Sequence, residues 1–262
     1  MLRSRVRALQ AAGIESEICW GYDVGGTRMF AGLCTCHVLG PANEDLAVGK
    51  LTKLVRDRDY DVITVISYPP AYQALSDAGF RGAIVSECHG NLGLTNVRGA
   101  QTADLVIAVS NRLRRECRRL GIRVPVSTLV NTVDVERFAG GSTEGSRHDS
   151  RFEVSPKERL VAFAGRLGEE KNWPLILEAF AELAPRRRNL RLWFAGGGER
   201  EDLAEELRRR VRELGIGGQF RWFPLVEPDD MPAFYGALAK SKGVLALPSR
   251  EEAFGMVLVE AM

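Results

Sequence analysis

The stretch RLVAFAGRLGEEKNWPLILEAFAEL, Arg159–Leu183, changes its periodicity once, and that change sets the fold class. Its opening, RLVAFAG (Arg159–Gly165), is a short, nearly continuous apolar run, the composition of a strand buried on both faces. From Trp173 to Leu183 the apolar residues recur at helical spacing instead. Between the two lies the polar loop RLGEEKN, Arg166 to Asn172. Strand, polar loop and helix in that order make half of a βαβ unit.

The same alternation runs outward in both directions. Downstream stand LRLWFAG (Leu190–Gly196), QFRWFPL (Gln219–Leu225) and GVLALPS (Gly243–Ser249), separated by helical patterns over Arg200–Leu214 and Met231–Lys240. Upstream stand DVITVIS (Asp61–Ser67), GAIVSEC (Gly82–Cys88), DLVIAVS (Asp104–Ser110) and VSTLV (Val126–Val130). This order implies an α/β fold with doubly wound parallel sheets. The stretch AGGSTEGSRHDSRFEVSPKE, Ala139–Glu158, interrupts it with glycine, serine and charge, and reads as a linker. The expected organisation is an N-terminal Rossmann-like domain over 1–138, a linker over 139–158 and a C-terminal domain over 159–262. The first helix, with Leu2, Val6 and Leu9 on one face, starts without a preceding strand, and the last helix has barely begun at Met262. Both domains are therefore expected to be incomplete, the chain being a fragment.

With 36 Lys and Arg against 34 Asp and Glu, the net charge is +2, too balanced for a protein that lives on nucleic acid. The runs Arg186–Arg188 and Arg208–Arg210 read as solvated helix faces. Five cysteines without repeated spacing suggest reduced thiols in a cytoplasmic protein. CTCH (Cys34–His37) lacks the second cluster that a zinc tetrahedron needs, so no metal site is expected. The opening residues lack the apolar core of a signal peptide.

In parallel α/β sheets, ligands bind beyond the carboxyl ends of the strands. Arg166 and Lys171 share the loop after the first strand of the second domain, where two cations could grip a diphosphate. The alternative is a loop salt bridge with Glu169 or Glu170. Gly196–Gly198 would let a ligand approach the backbone, although no dinucleotide fingerprint is completed. After GVLALPS, Ser249 and Glu252 fit the S-x-x-E capping box, and Glu260 follows Glu252 by eight positions.

Taken in order, FAGRLGEEKNWPLILEAF, LRLWFAGGGERE and LALPSREEAFGMVLVEAM resemble the retaining glycosyltransferases of family four, which have the GT-B fold. The family signature E-x(7)-E, with Phe-Gly inside, is matched by Glu252, Phe254, Gly255 and Glu260. Upstream, SECHGN, TADLVIAVSNRLRREC and LVNTVDVERF resemble the acceptor domain and its exit segment. The resemblance implies two Rossmann-like domains facing across a cleft, and transfer of a sugar from a nucleotide diphosphate sugar donor without a metal or other cofactor. It implies that Glu252 holds donor-sugar hydroxyls and Glu260 the ribose. Arg166 and Lys171 would stabilise the departing diphosphate, and amides near Phe254 and Gly255, with Gly197, would complete the donor site. His89 would contact the sugar from the acceptor side. The acceptor would be a glycan, a lipid or a small molecule, and a peripheral membrane contact is compatible with it.

Two departures from the family pattern stand out. Asn131-Thr132-Val133-Asp134 replaces Asn-Gly-Val-Asp, and the family's first strand with its glycine loop, like the strands and returning helix that follow EAM in the family, is expected to be missing. Three rival readings stay open. Asp57, Asp59 and Asp61 have the D-x-D spacing of a metal-dependent transferase but precede a strand. A nucleotide-sugar 2-epimerase would share the fold. A non-catalytic fragment would need no chemistry at all.

Overall fold

The computed structural model describes residues 2–23, 25–40, 43–90, 99–139, 150–197 and 200–262. The chain divides into two compact units, Met1–Val133 and Asp134–Met262.

In the second unit, β7 (Arg159–Ala164), β8 (Leu190–Ala195), β9 (Phe220–Phe223) and β10 (Val244–Leu245) form one sheet in the order β10-β7-β8-β9. Every pairing is parallel, and β7 and β8 align from Arg159 opposite Leu190 to Ala164 opposite Ala195. The continuous apolar runs are explained by two separate cores. Phe163, Leu192 and Phe194 pack on one face with Leu177, Phe180 and Leu207. Leu160, Ala162 and Trp193 pack on the other with Phe152, Phe223 and Phe234. Alternate residues of β7 and β8 from Leu160 to Ala164 and from Leu192 to Ala195 thus enter opposite cores, which is why both runs are apolar without alternation. The chain runs from β7 outward to β9, then returns to the other side of β7 as β10. That reversal is the topological switch point at which α/β sheets bind ligands.

In the first unit, β3 (Val62–Ile66), β4 (Ala83–Cys88), β5 (Leu105–Ala108) and β6 (Val126–Thr128) form a parallel sheet in sequential order. A separate parallel pair joins β1 (Glu17–Trp20) to β2 (Thr35–Val38). These two strands were not expected from sequence. EICW and TCHV are four residues each and mix charge, sulfur and imidazole, so neither shows an apolar run or a clean alternation. The α-helix Leu2–Ala11 buries Val6, as its apolar face suggests.

The two compact units divide the chain at a different point from the expected boundaries. The division falls after Val133 rather than after 138, and the end of the expected linker belongs to the second unit. Phe152 is 5% exposed, with its ring 5.0 Å from Phe223 and 5.7 Å from Phe234. Phe138 lies 6.0 Å from Tyr235 in the same core region. Glycine and serine content concealed one buried aromatic. Residues 140–149 of the expected linker lie outside the described residues.

Candidate functional site

The β7 loop is shaped by its own anchors. Gly165 donates its amide to the Ala195 carbonyl at 2.9 Å, and Gly196 donates to Phe223 at 2.8 Å, which extends the ladder past the strand ends. Leu167 is buried, and its carbonyl accepts from the Trp173 indole at 3.0 Å. Asn172 turns the chain through the left-handed region (φ 48°) into the α-helix Pro174–Leu183. With Leu167 and Trp173 fixed in the core, Arg166 and Lys171 are held at the two ends of a short, braced loop.

Their surroundings differ. Arg166 is 73% exposed at its side chain and pairs with Glu170 at 2.9 Å. This is the loop salt bridge weighed against a ligand role. Lys171 does not join it. Its ammonium lies 2.6 Å from Glu252 Oε1, with the two side chains 19% and 28% exposed.

Glu252 reaches that position on the segment after β10. Ala246 donates to the Ala162 carbonyl at 2.8 Å, and Arg250 donates to the Glu170 carbonyl at 2.9 Å, which fastens the segment along the β7 loop. The Ser249 hydroxyl donates to the same Glu252 Oε1 at 2.7 Å. The expected capping box is not a helix cap, because the helix begins at Met256, with Gly255 preceding it. Ser249 supports the carboxylate instead. Burial alone would raise the Glu252 pKa, but the hydrogen bonds from Lys171 and Ser249 and the positive charges of Lys171 and Arg166 outweigh it. The net shift is downward, which favours the ionised form.

Phe254 is partly buried and Gly255 is buried, with Gly255 at φ 82°. The helix Met256–Ala261 carries Glu260, half-buried, which accepts a hydrogen bond from the Tyr235 hydroxyl at 3.1 Å. Burial raises the Glu260 pKa, and the Tyr235 bond opposes the rise only in part.

The glycine loop is closely packed against the loop after β7. Gly197 has φ 81°, and a Cβ built there would stand 2.4 Å from Leu167 Cγ. At Gly196 a Cβ would stand 2.9 Å from the Gly165 carbonyl oxygen. Both glycines let two loops of the protein close on each other. Gly198 lies outside the described residues.

His89 belongs to the first unit and follows β4 there. Its Nε2 lies 2.8 Å from Glu87 Oε2, and Arg5 pairs with Glu87 Oε1. The Cys88 thiol turns to the Gly90 carbonyl at 3.3 Å and to Cys117, away from any pairing with His89. Cys36 and His37 stand in β2, preceded by Cys34, and His37 pairs with Glu17 at 2.8 Å. Asp57 ends the helix before β3 and pairs with Lys53 at 2.8 Å. Among the described residues no three His, Cys, Asp or Glu side chains are arranged to hold a metal ion. Among them also, no helix is long and apolar enough to cross a membrane.

Sequence reasoning missed Ser249 as a carboxylate support, Tyr235 as the partner of Glu260, and the Arg5–Glu87 pair. Glu87 carried a legible signal, a charged residue inside the apolar run GAIVSEC. Tyr235 carried none, since a helical tyrosine on an apolar face reads as core.

Comparison with known proteins agrees with this layout. The family profile of Glycosyl transferases group 1 matches residues 146–262, and that of Glycosyltransferase Family 4 matches residues 3–137. The chain is 34% identical over 125 residues to the mannosylfructose-phosphate synthase of Agrobacterium fabrum, covering 46% of this chain and 27% of that protein. It is 31% identical over 142 residues to the D-inositol 3-phosphate glycosyltransferase of Corynebacterium efficiens, covering 52% of this chain and 32% of that protein. The match therefore spans about a third or less of these relatives' length. The crystal structure of Anabaena HepE in complex with UDP-glucose shares the fold at a TM-score of 0.80 and 20% identity, over 99% of this chain and 73% of that one. One profile accounts for most of the first unit and the other for most of the second, and this chain belongs to glycosyltransferase family four.

Proposed function

We propose that the second unit is the donor half of a glycosyltransferase that moves a sugar from a nucleotide diphosphate sugar to an acceptor hydroxyl. Transfer proceeds with retention of anomeric configuration and without a metal. The observation that carries this reading is the meeting of Lys171 and Glu252 at the switch point of the sheet, 2.6 Å apart. An ammonium and an ionised carboxylate side by side suit a ligand that is anionic at one end and rich in hydroxyls at the other. Lys171 stabilises the charge that develops on the departing diphosphate, with Arg166 beside it, and Glu252 accepts hydrogen bonds from the sugar hydroxyls. Glu260, held by Tyr235, accepts from the ribose. His89 is assigned a contact to the sugar by the family resemblance, and its support in the structure lies wholly in the first unit.

With no metal, the cationic side chains supply the electrostatic term, which in comparable sites is usually the largest. Retention follows from front-face attack, the leaving phosphate taking the acceptor proton. The UDP-glucose bound by Anabaena HepE, which has the same fold, supports the donor class. The test is NMR of the first product formed by the full-length protein with chelator present. Retained configuration at undiminished rate is expected. An inverted anomer would overturn retention, and loss of activity in chelator would overturn the metal-free reading.

A further inference from the structure

Glu87 lies near the end of β4 with its side chain 2% exposed, and each carboxylate oxygen has its own partner. Arg5, on the helix Leu2–Ala11, pairs with Oε1, and His89 Nε2 lies 2.8 Å from Oε2. A buried carboxylate is costly unless paired and hydrogen-bonded. Arg5 supplies the opposite charge, and the imidazole supplies the second hydrogen bond. Burial would raise the Glu87 pKa, yet the His89 bond and Arg5 bring it below the ordinary value, so Glu87 is an acceptor at both oxygens.

We infer that Glu87, clamped by Arg5, is a positioning residue that fixes the His89 ring and keeps its proton on Nε2. An ionised carboxylate cannot donate, so the hydrogen bond at Nε2 requires the proton there. In the neutral ring the acceptor is then Nδ1. His89 is thereby built to receive a hydrogen bond from a hydroxyl-bearing ligand. This last step rests on the reading that His89 touches the sugar; the clamp itself does not. The sequence places Arg5 and Glu87 82 positions apart, and no spacing rule joins them.

The test uses the chain labelled with 15N-histidine. It has three histidines, so a His89→Gln variant assigns the His89 signals by subtraction. Correlation spectra at alkaline pH are expected to show His89 protonated at Nε2, with that proton sheltered from solvent and visible as a one-bond cross-peak. Glu87→Gln, which keeps an acceptor, should retain the cross-peak at a smaller shift. Arg5→Leu combined with Glu87→Leu removes the buried carboxylate together with its partly buried partner, which preserves folding better than stranding one charge, and should abolish the cross-peak. A wild-type ring protonated at Nδ1, or a Nε2 cross-peak unchanged in a folded double variant, would overturn the clamp. Should the double variant fail to fold, the wild-type spectrum decides alone. A His89→Ala variant of the full-length protein with unchanged kcat/KM would remove the sugar contact while leaving the clamp intact, so the two failures are distinguishable.

Discussion

Lys171 and Glu252 stand 81 positions apart in the chain and 2.6 Å apart in the structure. The loop after β7 brings one and the segment after β10 brings the other, and β10 lies beside β7 because the sheet reverses its order there. An ion pair between two loops at a strand end needs that topology. Removing the lysine charge should therefore act on function well beyond any effect on folding. Lys171→Ala is expected to lower turnover of the full-length protein by roughly 10²–10³, the usual cost of losing one transition-state donor. Arg166→Ala should also lower turnover, by less, because its guanidinium is 73% exposed and shared with Glu170. Steady-state kinetics check both, and turnover within about threefold of wild type in the two variants would return these residues to a surface loop.

Glu252 and Glu260 should affect stability with opposite signs. The Glu252 pKa is depressed below the ordinary 4.5, so its contribution is present above that pH and is lost as the pH falls through the folded-state value. The Glu260 pKa is raised above 4.5, so its ionisation costs stability as the pH rises through that window. Glu260→Gln should therefore melt at or above the wild-type temperature at neutral pH while weakening nucleotide binding. Glu252→Gln should melt lower at neutral pH and converge with wild type in acid. Melting temperatures across pH 3–8 check the pair, and identical profiles for both variants would contradict the assignment of shifts.

Gly197→Ala places a methyl group 2.4 Å from Leu167 Cγ at φ 81°. A strained backbone and an overfilled contact together should cost on the order of 2 kcal/mol or more. At Gly255, φ is 82° but the nearest atom is Leu258 Cδ1 at 3.3 Å, the end of a flexible side chain. Gly255→Ala should cost about 1 kcal/mol, chiefly backbone strain. Denaturant unfolding ranks the two, and a Gly197→Ala protein as stable as wild type would show that the loops are not packed as described.

Phe152→Ala should destabilise the second unit by about 3–5 kcal/mol, the usual loss for a buried phenylalanine. A residue in a mere linker would cost nothing measurable. Unfolding of the variant therefore tests whether the domain begins at Asp134 or near 159.

The parts of the fold legible in sequence were those where one signal sufficed. Strands such as RLVAFA and LRLWFA are apolar on both faces because two cores receive them, and that pattern is local. EICW and TCHV were not legible, because short strands of mixed polarity carry no period. Composition gave no sign that Phe152, set among glycine and serine, is buried in the core of the second unit. At the site, residue types and order pointed to Lys171, Arg166 and Glu252 and offered Glu170 as a loop partner, but not the pairing of Lys171 with Glu252. Whether Glu170 would take Arg166, Lys171 or both depends on where Glu252 arrives, which is decided by β10. The Ser249–Glu252 pair shows the same limit. Its spacing fits a cap, yet the helix starts at Met256 and the hydroxyl serves the carboxylate.

The most direct test of the donor-site reading is calorimetric titration of the chain with UDP, GDP and ADP, repeated with Lys171→Ala and Glu260→Gln. At least one nucleoside diphosphate should bind the wild-type chain, and each substitution should weaken that binding by about tenfold or more, the effect of losing roughly 1.4 kcal/mol. Binding that is undiminished in both variants, or no binding of any of the three nucleotides, would contradict a diphosphate and ribose site built on Lys171 and Glu260.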